Sequence, residues 1–219
     1  MITLWTYDWV PDFAAPLMKA FRVRWALEEA GLPYEVRTVE LGDQQRSPEH
    51  LARQPFGQAP AIADGSLSLF ESGAIVLHIA ERSEALLPKD RAARARATAW
   101  MFSAVSSLEP GIQELASIDF FHSGEPWAQE RRPAAEDFVR ERLGLLEAAL
   151  ASRDYLEGRF SAGDLMTADV LRILDHTDLL EATPKLKAYK ARCENRPAFQ
   201  RAMQAQLAGF RRGAESAVA

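Results

Sequence analysis

Apolar and polar positions along this chain follow two different periods, one in each part. In the first part short strands alternate with helices. Residues 2–7 read as a strand, Tyr34 to Val39 alternates as a half-buried strand does, and Ala20, Val23, Leu27 and Ala30 between them recur at helical spacing. A helix is therefore predicted from about Leu17 to Ala30, ending at Gly31. Pro48 to Arg53 reads as a short helix. Ala61–Ala63 and Leu67–Leu69 read as two strands joined through Asp64-Gly65, a dipeptide suited to the positive φ of a tight turn. A helix then runs over 73–80, with Ser72 as its N-cap. From Arg91 onward the pattern is helical throughout, with long segments over 91–117 and 133–152. Ser161-Ala-Gly-Asp164 is a variant capping box, in which an acid at N3 reaches back to the Ser161 amide. Leu165, Met166, Ala168, Val170, Leu171, Ile173 and Leu174 beyond it leave few polar faces, as in a central helix surrounded by protein. Arg196-Pro197-Ala198-Phe199 breaks one helix and starts the last, and 211–219 are expected to fray.

The order strand, helix, strand, helix, strand, strand, helix predicts an α/β thioredoxin-like domain over residues 1–84. An all-α domain follows over 89–219, after the break at Leu86-Leu87-Pro88-Lys89-Asp90. There are no internal repeats.

Composition changes this picture mainly by exclusion. At 47% hydrophobic and 26% charged the chain is an ordinary globular protein, and its longest uncharged apolar stretch, 97–108, is too short to cross a membrane. The start has no basic segment of the kind that opens a signal peptide, so a cytoplasmic location is expected. Cys193 is the single cysteine, which excludes an internal disulfide, and the four histidines have no metal-ligand spacing with it; no metal is expected. Residues 1–87 carry a net charge of −5, and the remainder holds 19 charges of each sign. That balance argues against nucleic acid as a partner and leaves any anionic ligand to be held by local groups.

Candidate chemistry concentrates between Pro55 and Ile75. Pro60 stands at a strand entrance, where its missing N–H is tolerated and an X-Pro bond can be cis. A cis bond there would leave the N–H and C=O of Ala59 free to pair with a peptide. The first turn of the following helix favours a carboxylate, and Glu71 beside it suits an ammonium. Together these would grip one amino acid's two charged groups next to a peptide-like edge.

Phe56-Gly57-Gln58-Ala59-Pro60-Ala61-Ile62 and Phe70-Glu71-Ser72-Gly73-Ala74-Ile75 resemble the cis-proline and Glu-Ser signatures of the cytosolic glutathione transferase superfamily. The capping box and the Arg196-Pro197 ending are similar to that family's second domain, so the resemblance spans nearly the whole chain. It implies the glutathione transferase fold and a glutathione site made of Gln58, Ala59, Pro60, Glu71 and Ser72, with Ala59 pairing the cysteinyl backbone and Glu71-Ser72 holding the γ-glutamyl end. It also implies a homodimer and an acceptor pocket to which Trp100, Phe102, Phe120 and Phe121 could contribute.

Such a protein must supply a thiolate. A free thiol of pKa about 8.5 is only about 3% ionised at neutral pH, and one charge-assisted hydrogen bond lowers that pKa by about one to two units. The family draws the donor from a Tyr ending the first strand or from a Ser or Cys starting the first helix. Aligned through Arg22-Val23-Arg24, the helix-start position falls near Leu17, followed by Met18 and Lys19, none of them a hydroxyl or thiol. Tyr7 is then the candidate catalytic residue; Trp9, Lys19 and the amides of the 8–13 loop stay open as alternatives. The expected activity is conjugation or reduction of small electrophiles with the glutathione thiolate. A non-catalytic relative that still binds glutathione is the alternative.

Overall fold

The computed structural model describes residues 1–216, with side chains described as far as residue 210. Two compact units form: Met1–Leu87 joined by the chain from Arg196 onward, and Pro88–Asn195. The last helix, assigned from the sequence to the helical domain, thus folds against the first unit.

In the first unit β1 (Ile2–Tyr7), β2 (Tyr34–Val39), β3 (Ala61–Asp64) and β4 (Leu67–Phe70) make one sheet in the order β2-β1-β3-β4. β1 is parallel to β2 and antiparallel to β3. The parallel pair needs a crossover, and α1 (Ala20–Ala30) supplies it. α1 begins later than its apolar spacing predicts. Ala15–Leu17, with Pro16 inside, close a short 3-10 turn, and Met18 then takes an extended conformation (φ −62°, ψ 134°) that interrupts the helix. Asp64 belongs to β3, pairing with Leu67, so Gly65 and Ser66 make the hairpin turn.

Every residue of α1 from Ala20 to Leu27 is buried. α1 packs on α3 (Ser72–Ala80) and on α9 (Pro197–Ser216). Phe199 of α9 meets Phe21 and Trp25 edge-on, with ring centroids 5.0 Å apart in each case. Arg196 pairs with both oxygens of Glu29 at 2.6 and 2.7 Å, and Arg201 with Glu28 at 2.8 Å. The segment expected to fray remains helical to Ser216; residues 217–219 lie outside the described residues. α2 (Pro48–Arg53) starts on Ser47, whose Oγ accepts from the His50 amide at 3.2 Å.

The second unit comprises α4 (Arg91–Ser103), α5 (Glu109–Phe121), α6 (Pro126–Leu150), α7 (Ala162–Leu171) and α8 (Pro184–Glu194). The helix expected over 91–117 contains a wide π-type turn at Ala104–Leu108, just before Pro110, a residue with no N–H for the preceding turn. α6 starts at Pro126, and Pro133, expected to open it, lies within it. All ten residues of α7 are buried. The capping box forms in full: Asp164 accepts from the Ser161 amide and hydroxyl, both at 2.9 Å, as well as from Leu156 N–H (2.8 Å) and Tyr189 Oη (3.1 Å). Burial raises the Asp164 pKa against those four bonds.

Candidate functional site

Strand register brings the candidate residues to one end of the sheet. β1 and β3 pair with Trp5 opposite Ala61, and continuing that antiparallel register sets Tyr7 across from Ala59. β3 and β4 pair with Ala61 opposite Phe70, so Ala59-Pro60, just before β3, and Glu71-Ser72, just after β4, leave the sheet at the same end. The Ala59–Pro60 peptide is cis.

The approach to this step is pinned at several points. Gln54 Oε1 accepts from Phe56 N–H at 2.7 Å, Gly57 N–H donates to Gln54 O at 3.0 Å, and His50 Nε2 lies 2.8 Å from Gln58 O. Gly57 has φ +64°, and a Cβ there would stand 2.9 Å from Gln45 O, so both conformation and space call for glycine.

On the helix side, Glu71 is the N-cap of α3 and Ser72 its first helical residue, so the cap falls one position earlier than expected. The reason is the backbone: Glu71 adopts φ 67°, ψ 111°, and its carbonyl accepts from Ile75 N–H at 2.9 Å. A non-glycine residue there is strained. The Glu71 side chain is exposed and makes no cap hydrogen bond, while Ser72 is buried with its Oγ 3.4 Å from Arg22 Nη1.

Tyr7 is 9% exposed and shares an apolar cluster with Val10, Ala15, Ala59 and Phe210, to which Ala14, Met18 and Leu207 add. Burial raises its pKa, and a hydrogen bond with the Ala59 backbone pulls it partly back. The phenol therefore keeps its proton at neutral pH, and its oxygen accepts from the Ala59 backbone N–H. Trp9 is 42% exposed, and its main-chain N–H is taken by Asp8 Oδ1 at 2.7 Å. Lys19 is the N-cap of α1. Leu17 and Met18 flank the break before the helix, and Met18 packs against the tyrosine cluster.

Four residues outside the expected set also shape this end of the sheet: Arg22, His50, Gln206 and Phe210. Gln206 Nε2 donates to Ala15 O at 2.8 Å, tying α9 to the loop beyond β1, and Phe210 one turn on reaches Tyr7's cluster. Their signal was available in part. Phe199, Ala202, Gln206 and Phe210 form one buried stripe of α9, and a glutamine within such a stripe marks a buried hydrogen bond.

An α/β unit of this topology with a helical second unit, carrying its cis-proline and Glu-Ser steps at one sheet end, defines the glutathione transferase fold. Comparison with known proteins agrees. Residues 12–81 match the family described as glutathione S-transferase, N-terminal domain, and residues 115–197 its C-terminal domain. Glutathione S-transferase 4 of Zea mays is 34% identical over 194 residues, covering 82% of this chain and 84% of that protein. The disulfide-bond oxidoreductase YfcG of Escherichia coli (strain K12) is 31% identical over 209 residues, covering 89% and 95%. A glutathione transferase family member from Pseudomonas fluorescens Pf-5, solved with two glutathione bound, superposes with a TM-score of 0.80 at 28% identity, covering 92% of both chains. The chain belongs to the cytosolic glutathione transferase superfamily.

Proposed function

We propose that this protein binds glutathione and presents its thiolate to a small electrophilic or reducible substrate. The observation that carries the reading is the convergence of Tyr7, Ala59 and Glu71-Ser72 at one sheet end through the register of three strands. Gln58, Ala59 and Pro60 form the edge along which the tripeptide backbone lies. The first turn of α3 takes the γ-glutamyl carboxylate, where amide donors and the positive helix end favour an anion, and Glu71 takes the ammonium. Tyr7, whose raised pKa keeps it protonated, donates to the sulfur and lowers the thiol's pKa.

Binding without turnover is the second reading, and one observation favours it: Phe210, 8% exposed, packs in the cluster that buries Tyr7, and the Ala59 backbone already engages the phenol. Retention on immobilised glutathione combined with turnover of a chloro-arene or a peroxide separates the two. Retention with no turnover selects the second; loss of both overturns the glutathione reading.

We also propose a cytoplasmic homodimer. Phe56 stands 69% exposed and meets the partly exposed Phe70 edge to face at 6.2 Å, an apolar surface of the kind association covers. Light scattering that returns a 24.4 kDa particle at micromolar concentration would count against it.

A further inference from the structure

We infer that His50 is a positioning residue that aims the Ala59 amide at the proposed glutathione edge, an inference that rests on the glutathione reading above. His50 is 1% exposed, on α2, and its Nε2 lies 2.8 Å from Gln58 O. A carbonyl only accepts, so the ring proton sits on Nε2 and the nitrogen donates. Nδ1 is buried with no partner. A leucine would fill this space without burying an unpaired nitrogen, so packing alone gives no reason for an imidazole. The bond to Gln58 does.

Its consequence follows from peptide geometry. Gln58 C=O and Ala59 N–H belong to one rigid peptide plane and point in opposite directions. Drawing Gln58 O toward α2 therefore turns Ala59 N–H away from α2. That is the side of Tyr7, whose phenol bonds with the Ala59 backbone. The Gln54 hydrogen bonds to Phe56 and Gly57 hold the chain as far as Gly57, and the bond from His50 to Gln58 O is the next tie, on the peptide plane itself.

The test uses the full chain and calorimetric titration with reduced glutathione. His50→Leu removes the donor and should weaken glutathione binding about ten-fold; His50→Gln carries an amide N–H at comparable reach and should restore affinity to within about three-fold of the parent. A folded His50→Leu protein with parental affinity overturns the inference, as does His50→Gln failing equally with an equally lowered melting temperature. If His50→Leu does not fold, nitrogen-15 spectra of the unaltered protein decide: an Nε2–H tautomer whose resonance shifts on saturation with glutathione supports the role, and an Nδ1–H tautomer or an unshifted resonance overturns it. Parent protein that itself takes up no glutathione would instead remove the glutathione reading, an outcome distinct from every other.

Discussion

Arg22 and Ser72, fifty positions apart, meet inside the first unit, with Nη1 3.4 Å from Oγ and both side chains buried. The arginine stands on a helix buried all round, and the serine opens the helix packed beside it. Ser72 is thus held from below by a cation while the first turn of α3 faces the proposed ligand. Ser72→Ala should weaken glutathione binding by about 1.5–3 kcal/mol, the scale of a hydrogen bond to a charged group, and also lower the melting temperature because Arg22 loses an acceptor. Calorimetry and thermal unfolding of the same sample check both effects.

Glu71 should behave differently. Its φ of 67° is strained for a side-chain-bearing residue, and its carboxylate caps nothing in the protein. Glu71→Gly should therefore lose about 1.5–3 kcal/mol of glutathione affinity while raising stability by up to about 1 kcal/mol, whereas Glu71→Ala loses the affinity without the gain. Equal melting temperatures for the two variants would show that the backbone at Glu71 is relaxed.

Tyr7→Phe keeps the ring in its cluster and removes only the donor. The bound thiol's pKa should rise by about one to two units, turnover at neutral pH should fall far more than affinity, and higher pH should recover part of the rate. The thiolate's ultraviolet absorbance, titrated in both proteins, measures this directly. Coinciding curves would leave Tyr7 as a packing residue and direct attention to Trp9, Lys19 and the loop amides.

In the second unit the capping box and its neighbour carry stability without touching the proposed ligand. A Cβ at Gly163 would stand 2.7 Å from Trp100 Cβ and 3.0 Å from Ala97 O, so Gly163→Ala should cost about 1–3 kcal/mol by forcing α4 and α7 apart. Asp164→Ala strands the buried amides of Leu156 and Ser161 and should cost about 3 kcal/mol. Urea unfolding reads both, and glutathione affinity per folded molecule should stay at the parental value.

Acid should loosen the same unit through Asp119. Burial alone would raise this carboxyl's pKa, but hydrogen bonds from Arg132 and His176 outweigh it and the net shift is downward. A depressed folded-state pKa means the stabilisation is fully present above the unfolded carboxyl's value, about 3.9, and is lost as pH falls through the lower folded value. Asp119→Asn should accordingly be less stable than the parent at pH 6, with the gap closing below about pH 4. A constant gap across that range would show that the pair carries no linked proton.

The amino-acid sequence by itself determined the elements and their order. Alternation in Tyr34–Val39, the 3–4 spacing of Ala20, Val23, Leu27 and Ala30, and the Ser161–Asp164 box are local signals, and local geometry is what periodicity and capping report. It also placed Ala59-Pro60 and Glu71-Ser72 as adjacent pairs. What only the tertiary structure decided lies in contacts between distant positions: Ser72 with Arg22, Ala15 with Gln206 across 191 positions, and Tyr7 beneath Phe210. Burial pairs polar groups with whatever partner packing brings near, and no local pattern encodes that partner. The start of α1 was missed for a related reason: the apolar stripe is silent about the extended backbone at Met18. Glu71 became the cap in place of Ser72 because a positive φ at the end of β4 turns the chain into α3 one residue early, a conformation set by how strand and helix must join.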